Sequence, residues 1–210
     1  RRRIDALDPS VVGDSKIVWE LNRHQWMVTL AQASALTADD RYARHALRLL
    51  LDWIDRNPVG RGINWSSSLE VALRLISWTW VLGLLRHTSL LEAIASDILA
   101  SIHAHATHVQ RYLSHYYSPN THLTGEALGL FYAGTLYPQF DAASQWLDTG
   151  ATTLIEQAER QITADGVYFE QSTCYQRYTC DFYLHFLLLA ERSRYAVPSF
   201  VRDRLDRMSD

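Results

Sequence analysis

Lysine is almost missing from these 210 residues: Lys16 stands alone, and the other nineteen of the 20 basic residues are arginine. Genomic base composition explains such a bias. So would planar, bidentate recognition of carboxylate or sulfate groups, which suits arginine and not lysine. Cysteine is scarce too. Cys174 and Cys180 are the only two; six residues apart on one helix, at 1.5 Å rise per residue, they would sit ~9 Å apart, out of disulfide reach. They read as reduced, structural thiols. There is no CxxC pair, and of His103, His105 and His108 only the last two share a helical face, with no carboxylate at metal spacing. No metal site is expected from that set. The glycine-rich phosphate loops and the GxSxG elbow are absent, which disfavours nucleotide binding and α/β-hydrolase chemistry. No apolar run reads as long enough to span a bilayer. No signal peptide is visible; the chain opens at Arg1-Arg2-Arg3-Ile4 in mid-register, as a fragment would. Nor is there an excess of charge: 20 basic against 23 acidic residues leave −3, with no bulk attraction to nucleic acid or anionic lipid. A polyanion would have to be met locally, in a cleft.

What is present is globular. Hydrophobic residues make up 48% and charged residues 20%, a balance that excludes wholesale disorder. The length suits one domain, or a large piece of one, with a real core. Seven tryptophans are many for this length; such rings pack cores and also stack on sugars.

The periodicity is helical nearly throughout. It predicts helices over 16–36, 39–56 (from an Asp39-Asp40 cap to Asn57-Pro58-Val59-Gly60), 68–86, 89–113, 118 to about 137, 140–163 and 172–193, with a last short helix opening at Pro198. Residues 68–86 are apolar almost all round, as in a helix buried between neighbours. Ser66-Ser67-Ser68 with Glu70 resembles a capping box. Ser118-Pro119 reads as a helix start with Pro in the first turn, Asp165-Gly166 as a turn, and 167–170 as a short extended piece. Cys174, Tyr178, Phe182, His185 and Leu189 form a stripe at spacings of four, four, three and four. About eight helices joined by short loops pack as antiparallel hairpins, so the predicted class is all-α, a bundle or a curved array of hairpins.

Four segments carry candidate chemistry. Around Ser118–Glu126, Asn120, His122 and Glu126 gather at a helix N-terminus, which favours anions. Asn120 can donate to a carboxylate without transferring a proton, and His122 can donate or accept near neutral pH. His122 and Glu126, four apart, share a face. A purely structural reading is also open: Ser118 caps, Asn120 satisfies the helix end, and His122 sits at the surface. In 165–178, Tyr175 lies in the first turn of a helix beside Arg177, where a cation and the helix N-terminus favour a phenolate; a core tyrosine is the plainer alternative. The segments 19–26 and 64–74 mix tryptophan with Arg23, His24, Asn64, Trp65, Glu70 and Arg74, the pairing of ring face and hydrogen-bonding groups that a sugar site uses. Glu70 and Arg74 also form an i, i+4 pair.

Together WELNRHQ (19–25), NWSSSLEVALR (64–74), SPNTHLTGE (118–126) and DGVYFEQSTCY (165–175) resemble the heparinase II/III-type polysaccharide lyases, in family order and over most of the chain. The resemblance implies an incomplete (α/α) toroid spanning 1–210 as a single domain. It also implies a C-terminal β-sheet domain, absent from this chain, that closes the cleft and supplies another histidine. It implies β-elimination on a uronic-acid-containing polysaccharide such as a heparan-like glycan, alginate or a bacterial exopolysaccharide, with no cofactor in this domain and a periplasmic or secreted location. By the same resemblance Tyr175 is acid and, for some substrates, base; His122 is base or carboxylate neutraliser; and Asn120 is neutraliser. Arg23, His24, Asn64, Trp65, Glu70, Arg74, Glu126, Glu170 and Arg177 become substrate contacts or their supports. Many relatives read Asn-Asn-His where this chain reads Asn120-Thr121-His122, and threonine is a poorer partner for a carboxylate.

Two alternatives stay open. One is a helical-toroid glycoside hydrolase using two of Glu70, Glu126 and Glu170, set ~6.5–9.5 Å apart for inversion. The other is a glycan-binding module that keeps the fold with a decayed site, which the threonine favours.

Overall fold

The computed structural model describes residues 8–117 and 119–209; Arg1–Ile4 and the expected cap Ser118 lie outside them. Contacts divide the chain into two compact units, one ending at His108 and the other beginning at Val109.

In the first unit, α1 (Pro9–Val12) and α2 (Ser15–Asn22) start on Asp8 and Asp14, whose carboxylates accept from backbone N–H groups two residues on. The helix expected over 16–36 breaks at Arg23-His24, and α3 (Gln25–Thr37) begins afresh. The cause is His24, which holds a left-handed conformation at φ 60° while its ring is buried. The amphipathic α4 (Asp40–Arg56) is capped by Asp39 as expected and buries Ala43, Ala46, Leu47, Leu50 and Trp53. A 3-10 turn, Ile63–Trp65, leads to α5 (Ser68–Leu85), which packs on α3. By length and composition α5 could cross a membrane, against the sequence expectation that no stretch is long enough; it is 83% buried inside the protein and carries Glu70 and Arg74, as a core helix does. The capping box expected at its start does not form, because Ser67 makes no side-chain cap bond and Glu70 is engaged elsewhere. The run expected over 89–113 is split into α6 (Ser89–Glu92) and α7 (Ala95–Arg111).

In the second unit, α8 (Thr121–Leu136) is hydrophobic all round and nearly all buried. It starts later than expected: Pro119 precedes the helix, and Asn120 is the N-cap, its side chain accepting from the His122 N–H. Its partner α9 (Ala143–Gln161) approaches closely because glycines sit at the crossing. A Cβ on Gly150 would lie 2.6 Å from the Phe131 nitrogen and 2.7 Å from the Ala127 oxygen. β-structure among the described residues amounts to an isolated antiparallel bridge between Ile162 and Tyr168, on the short piece that the sequence marks as extended. The buried line of α10 (Thr173–Ser193) is Thr179, Phe182, Tyr183, Phe186, Leu187 and Ala190, so Cys174, Tyr178, His185 and Leu189 of the expected stripe do not form the core face. Finally α11 (Ser199–Ser209) locks the end of α9: Arg204 Nη1 donates at 2.7 Å to the carbonyls of Ala158, Glu159 and Ile162, a cation on the orphan carbonyls of a helix C-terminus.

Candidate functional site

The candidate residues of the second unit sit on two helix starts and one turn. Gly166 takes φ 88°, and its missing Cβ leaves room for the Arg207 backbone. The turn it makes brings Phe169 N–H to the Gln161 carbonyl at 2.8 Å and Thr163 N–H to the Val167 carbonyl at 2.9 Å. From the first turn of α10, Gln176 pins this turn: it accepts from Tyr168 N–H at 2.8 Å and donates to the Gly166 carbonyl at 2.9 Å. Gln171 then adopts φ 50°, a conformation that costs a non-glycine residue about 1 kcal/mol or more. The strained turn delivers Glu170 to the start of α8.

There the hydrogen bonds run in one chain. The Asn120 amide donates from Nδ2 to Glu170 Oε1 at 3.2 Å, and Thr121 Oγ1 lies 3.4 Å from Glu170 Oε2. On its other side, Asn120 Oδ1 faces both the His122 N–H at 3.1 Å and His122 Nδ1 at 3.0 Å. A carbonyl oxygen only accepts, so in this contact Nδ1 carries the hydrogen, and the neutral ring holds its lone pair at Nε2. Below them Gln161 ties the layer together. It accepts from Tyr168 Oη at 3.0 Å and Thr124 Oγ1 at 3.3 Å, and donates to the Pro119 carbonyl at 2.7 Å. Burial pushes the Tyr168 hydroxyl above its usual range; Thr179 pulls it down, and Glu170 and Tyr175 add to the rise. Tyr168 therefore stays protonated.

Tyr175 occupies the first turn of α10, 44% exposed, and Arg177 is exposed beside it. His122 and Asn120 are half-buried, as is Glu170, whereas Thr121 is 2% exposed. Position 121, the departure from the Asn-Asn-His pattern, is thus closed to solvent. Glu126 is 1% exposed and accepts from Ser114 N–H and Oγ, both at 2.7 Å. Burial raises its carboxyl from 4.5 to about 7, with the Ser114 bonds opposing. Its oxygens face protein, not a sugar.

The six candidate contacts of the first unit gather in one place, but inward. Arg23 clamps Glu70 bidentately at 2.7 and 2.8 Å. Arg74 is fully buried and does not form the expected hydrogen-bonded pair with Glu70. Its guanidinium donates to His105 Nε2 at 3.0 Å and to the carbonyls of Asn64 at 2.8 Å and Asn22 at 3.2 Å, and it lies 4.3 Å from the centre of the Trp53 ring. Dipoles and a π-face hold this buried cation directly, and the charge of Glu70 favours it from beyond hydrogen-bond distance. Burial, then Arg74, depresses His24 from 6.5 to about 3, and the same causes hold His105 well below its usual range. Both rings are neutral: His24 Nδ1 accepts from Trp78 Nε1 at 2.8 Å, and His105 Nδ1 faces the Ser101 carbonyl at 2.7 Å. Trp65 is 4% exposed and packs 4.6 Å from His105, so it is a core ring and not a sugar platform. Asn64 donates to Asn57 Oδ1 at 2.8 Å.

Sequence reasoning missed Gln161, Tyr168, Trp53, Trp78 and His105 as organisers of these clusters. A signal for the first existed: Gln157 and Gln161 sit four apart on one face of α9, and both are buried. Among the described residues no three His, Cys, Asp or Glu side chains assemble at metal-binding distance. Both cysteines are free, with Cys174 exposed.

A family model described as the heparinase II/III N-terminus matches residues 3–209. The heparin-sulfate lyase of Pedobacter heparinus is 29% identical over 179 residues, which are 82% of this chain and 27% of that protein. The heparin-sulfate lyase of Bacteroides thetaiotaomicron is 30% identical over 198 residues, 85% of this chain and 28% of that one. The chain therefore spans little more than a quarter of these relatives. The solved structure of heparinase III superposes with a TM-score of 0.80 at 27% identity, covering 90% of this chain and 29% of that chain. Heparan sulfate lyase from Pedobacter heparinus superposes at 0.78 with 26% identity, covering 97% and 32%. The matches show the fold class expected from the resemblance, all-α and of the incomplete (α/α) toroid type.

Proposed function

This chain belongs to the heparinase II/III N-terminal family, and from that premise we propose that the protein it builds is a polysaccharide lyase acting by β-elimination on a uronic-acid-containing glycan. The proton on C5 of a uronate is too weakly acidic while the neighbouring carboxylate keeps its charge, so a donor must stabilise the charge that develops. The observation that carries the reading is Asn120, whose amide already donates to a carboxylate, that of Glu170, at 3.2 Å. The second N–H of the amide is available by valence to meet the sugar's carboxylate. That Thr121 is buried supports placing the neutralising role on Asn120 rather than on residue 121. His122, with its lone pair at Nε2, takes the C5 proton; the neutralising role would require Nε2 to carry a proton as well. Tyr175 gives a proton to the leaving O4 and serves as base for some substrates. Exposed Arg177 contacts sulfate or carboxylate groups of the polymer. Arg23, His24, Asn64, Trp65, Glu70 and Arg74 have structural roles within the first unit, and Glu126 has one in the second, bonded to Ser114.

The names of the relatives favour a heparan-type substrate, ahead of alginate or a bacterial exopolysaccharide. We further propose a C-terminal β-sheet domain that closes the cleft, and a periplasmic or secreted location. Paired-carboxylate hydrolysis is disfavoured, because Glu126 and Glu70 are buried and bonded to protein groups. The test is an absorbance screen of the full-length protein against uronate polymers. Elimination leaves an ultraviolet-absorbing C4=C5 double bond; hydrolysis yields new reducing ends without it. Binding without either product supports a decayed, glycan-holding site.

A further inference from the structure

We propose that Glu170 is a positioning residue that holds the Asn120 amide in one orientation and, through it, fixes the His122 ring with hydrogen on Nδ1 and the lone pair on Nε2.

An asparagine amide presents two different ends, and a half-turn about its last bond exchanges them. Here both ends are specified by chemistry. Nδ2 meets a carboxylate oxygen of Glu170 and Oδ1 meets the backbone N–H of His122. After a half-turn, an oxygen would face a carboxylate and an NH2 group would face an N–H, two repulsions in place of two bonds. With the amide so held, Oδ1 is the atom that faces His122 Nδ1 at 3.0 Å, and only the tautomer with hydrogen on Nδ1 satisfies it. A proton acceptor for carbon chemistry must keep its lone pair on the nitrogen that points away from its support, which is the logic of an oriented base.

Glu170 is itself held. Thr121 Oγ1 approaches its second oxygen, so the threonine that replaces the usual asparagine contributes a hydroxyl to the same carboxylate. Tyr168, kept protonated, interacts with Glu170 from below. The turn that carries Glu170 is clamped by Gln176 and completed by the left-handed Gln171. Strain spent on a turn that serves only to aim one carboxylate is what a positioning role requires.

This inference rests on the lyase reading for its effect on rate but not for its effect on the ring. In the full-length protein, Glu170→Ala is expected to lower kcat about tenfold or more with KM changed less than about threefold, the range of misoriented acid–base groups. Glu170→Gln, whose amide oxygen can accept the same bond, should recover most of that loss. Nitrogen-15 resonances of selectively labelled histidines, assigned with a His122→Gln variant, should show His122 in the neutral wild type protonated at Nδ1, with averaging between tautomers in Glu170→Ala and not in Glu170→Gln. An Nε2-protonated His122 in the wild type overturns the proposal whether or not the protein is active. So does Glu170→Gln impaired as much as Glu170→Ala, or Glu170→Ala with wild-type kcat. A protein with no lyase activity but the expected resonances removes the proposed function and leaves the positioning contact standing.

Discussion

Glu126 and His24 show how burial sets charge in this chain, in opposite directions. The Glu126 carboxyl is raised from 4.5 to about 7 in the fold. Between those values the unfolded chain has released its proton while the folded chain still holds it, so stability falls as pH rises through that window, by about 1–3 kcal/mol, and levels off above it. His24, lowered to about 3, works the other way: the unfolded chain takes up a proton below 6.5 and the folded one does not, so stability is lost as pH falls from 6.5 toward 3. The difference between wild type and Glu126→Gln isolates the carboxyl. Melting temperatures measured from pH 4.5 to 8 should show the variant gaining relative to wild type as pH rises, and a constant difference would remove Glu126 as a titrating group. The Arg23–Glu70 pair is asymmetric in another sense. Arg23 keeps 22% of its side chain exposed and Glu70 only 5%, so Arg23→Ala strands a carboxylate inside. The expected loss is toward the lower end of about 3–5 kcal/mol in chemical denaturation, with Glu70→Gln in the same background recovering part of it.

Among the elements, α8 and α9 are held at a separation that only glycine permits. Gly150→Ala would drive a methyl into the Phe131 and Ala127 backbones, and helix backbones cannot yield as a side chain does. Overpacking of this kind costs about 1–3 kcal/mol or more, although alanine is the better helix former; a lower denaturation midpoint is expected, and an unchanged one would show that the helices can part. This close approach was invisible in the sequence, where Gly134 and Gly150 look like ordinary weak points in two helices. Other elements were readable. The Asp39 cap, the stop after Arg56, the buried character of 68–85 and the Asp165-Gly166 turn all follow from local chemistry that tertiary contacts do not override. The break at Arg23-His24 was not readable, because no proline or glycine marks it; a buried imidazole accepting from Trp78 decides the backbone there. The Ser-Glu capping signal failed for a related reason. A bidentate arginine 47 residues away outweighs a local cap bond to an exposed helix end.

At the scale of the whole molecule, local pattern located the segments that matter but did not assign the direction their side chains take. Tryptophan next to arginine and asparagine in 19–26 and 64–74 suits a sugar site and a dipole-lined core equally well, and the fold makes it a core around Arg74. Asn120, His122, Glu170 and Tyr175 were legible as chemistry-bearing types at two helix starts of the second unit. Glu170's contact with Asn120 was not, since it depends on a turn strained at Gln171. The proposed reaction also relies on the proposed C-terminal domain to close the cleft, so this chain alone, spanning little more than a quarter of its relatives, is expected to show weak activity or none. The most direct measurement is the initial rate of ultraviolet absorbance when full-length wild type and Tyr175→Phe meet a heparan-type polymer. An absorbing product is expected from the wild type, and a rate about 10²–10⁴-fold lower from a fully folded Tyr175→Phe. An equal rate from both would contradict the proposed reaction.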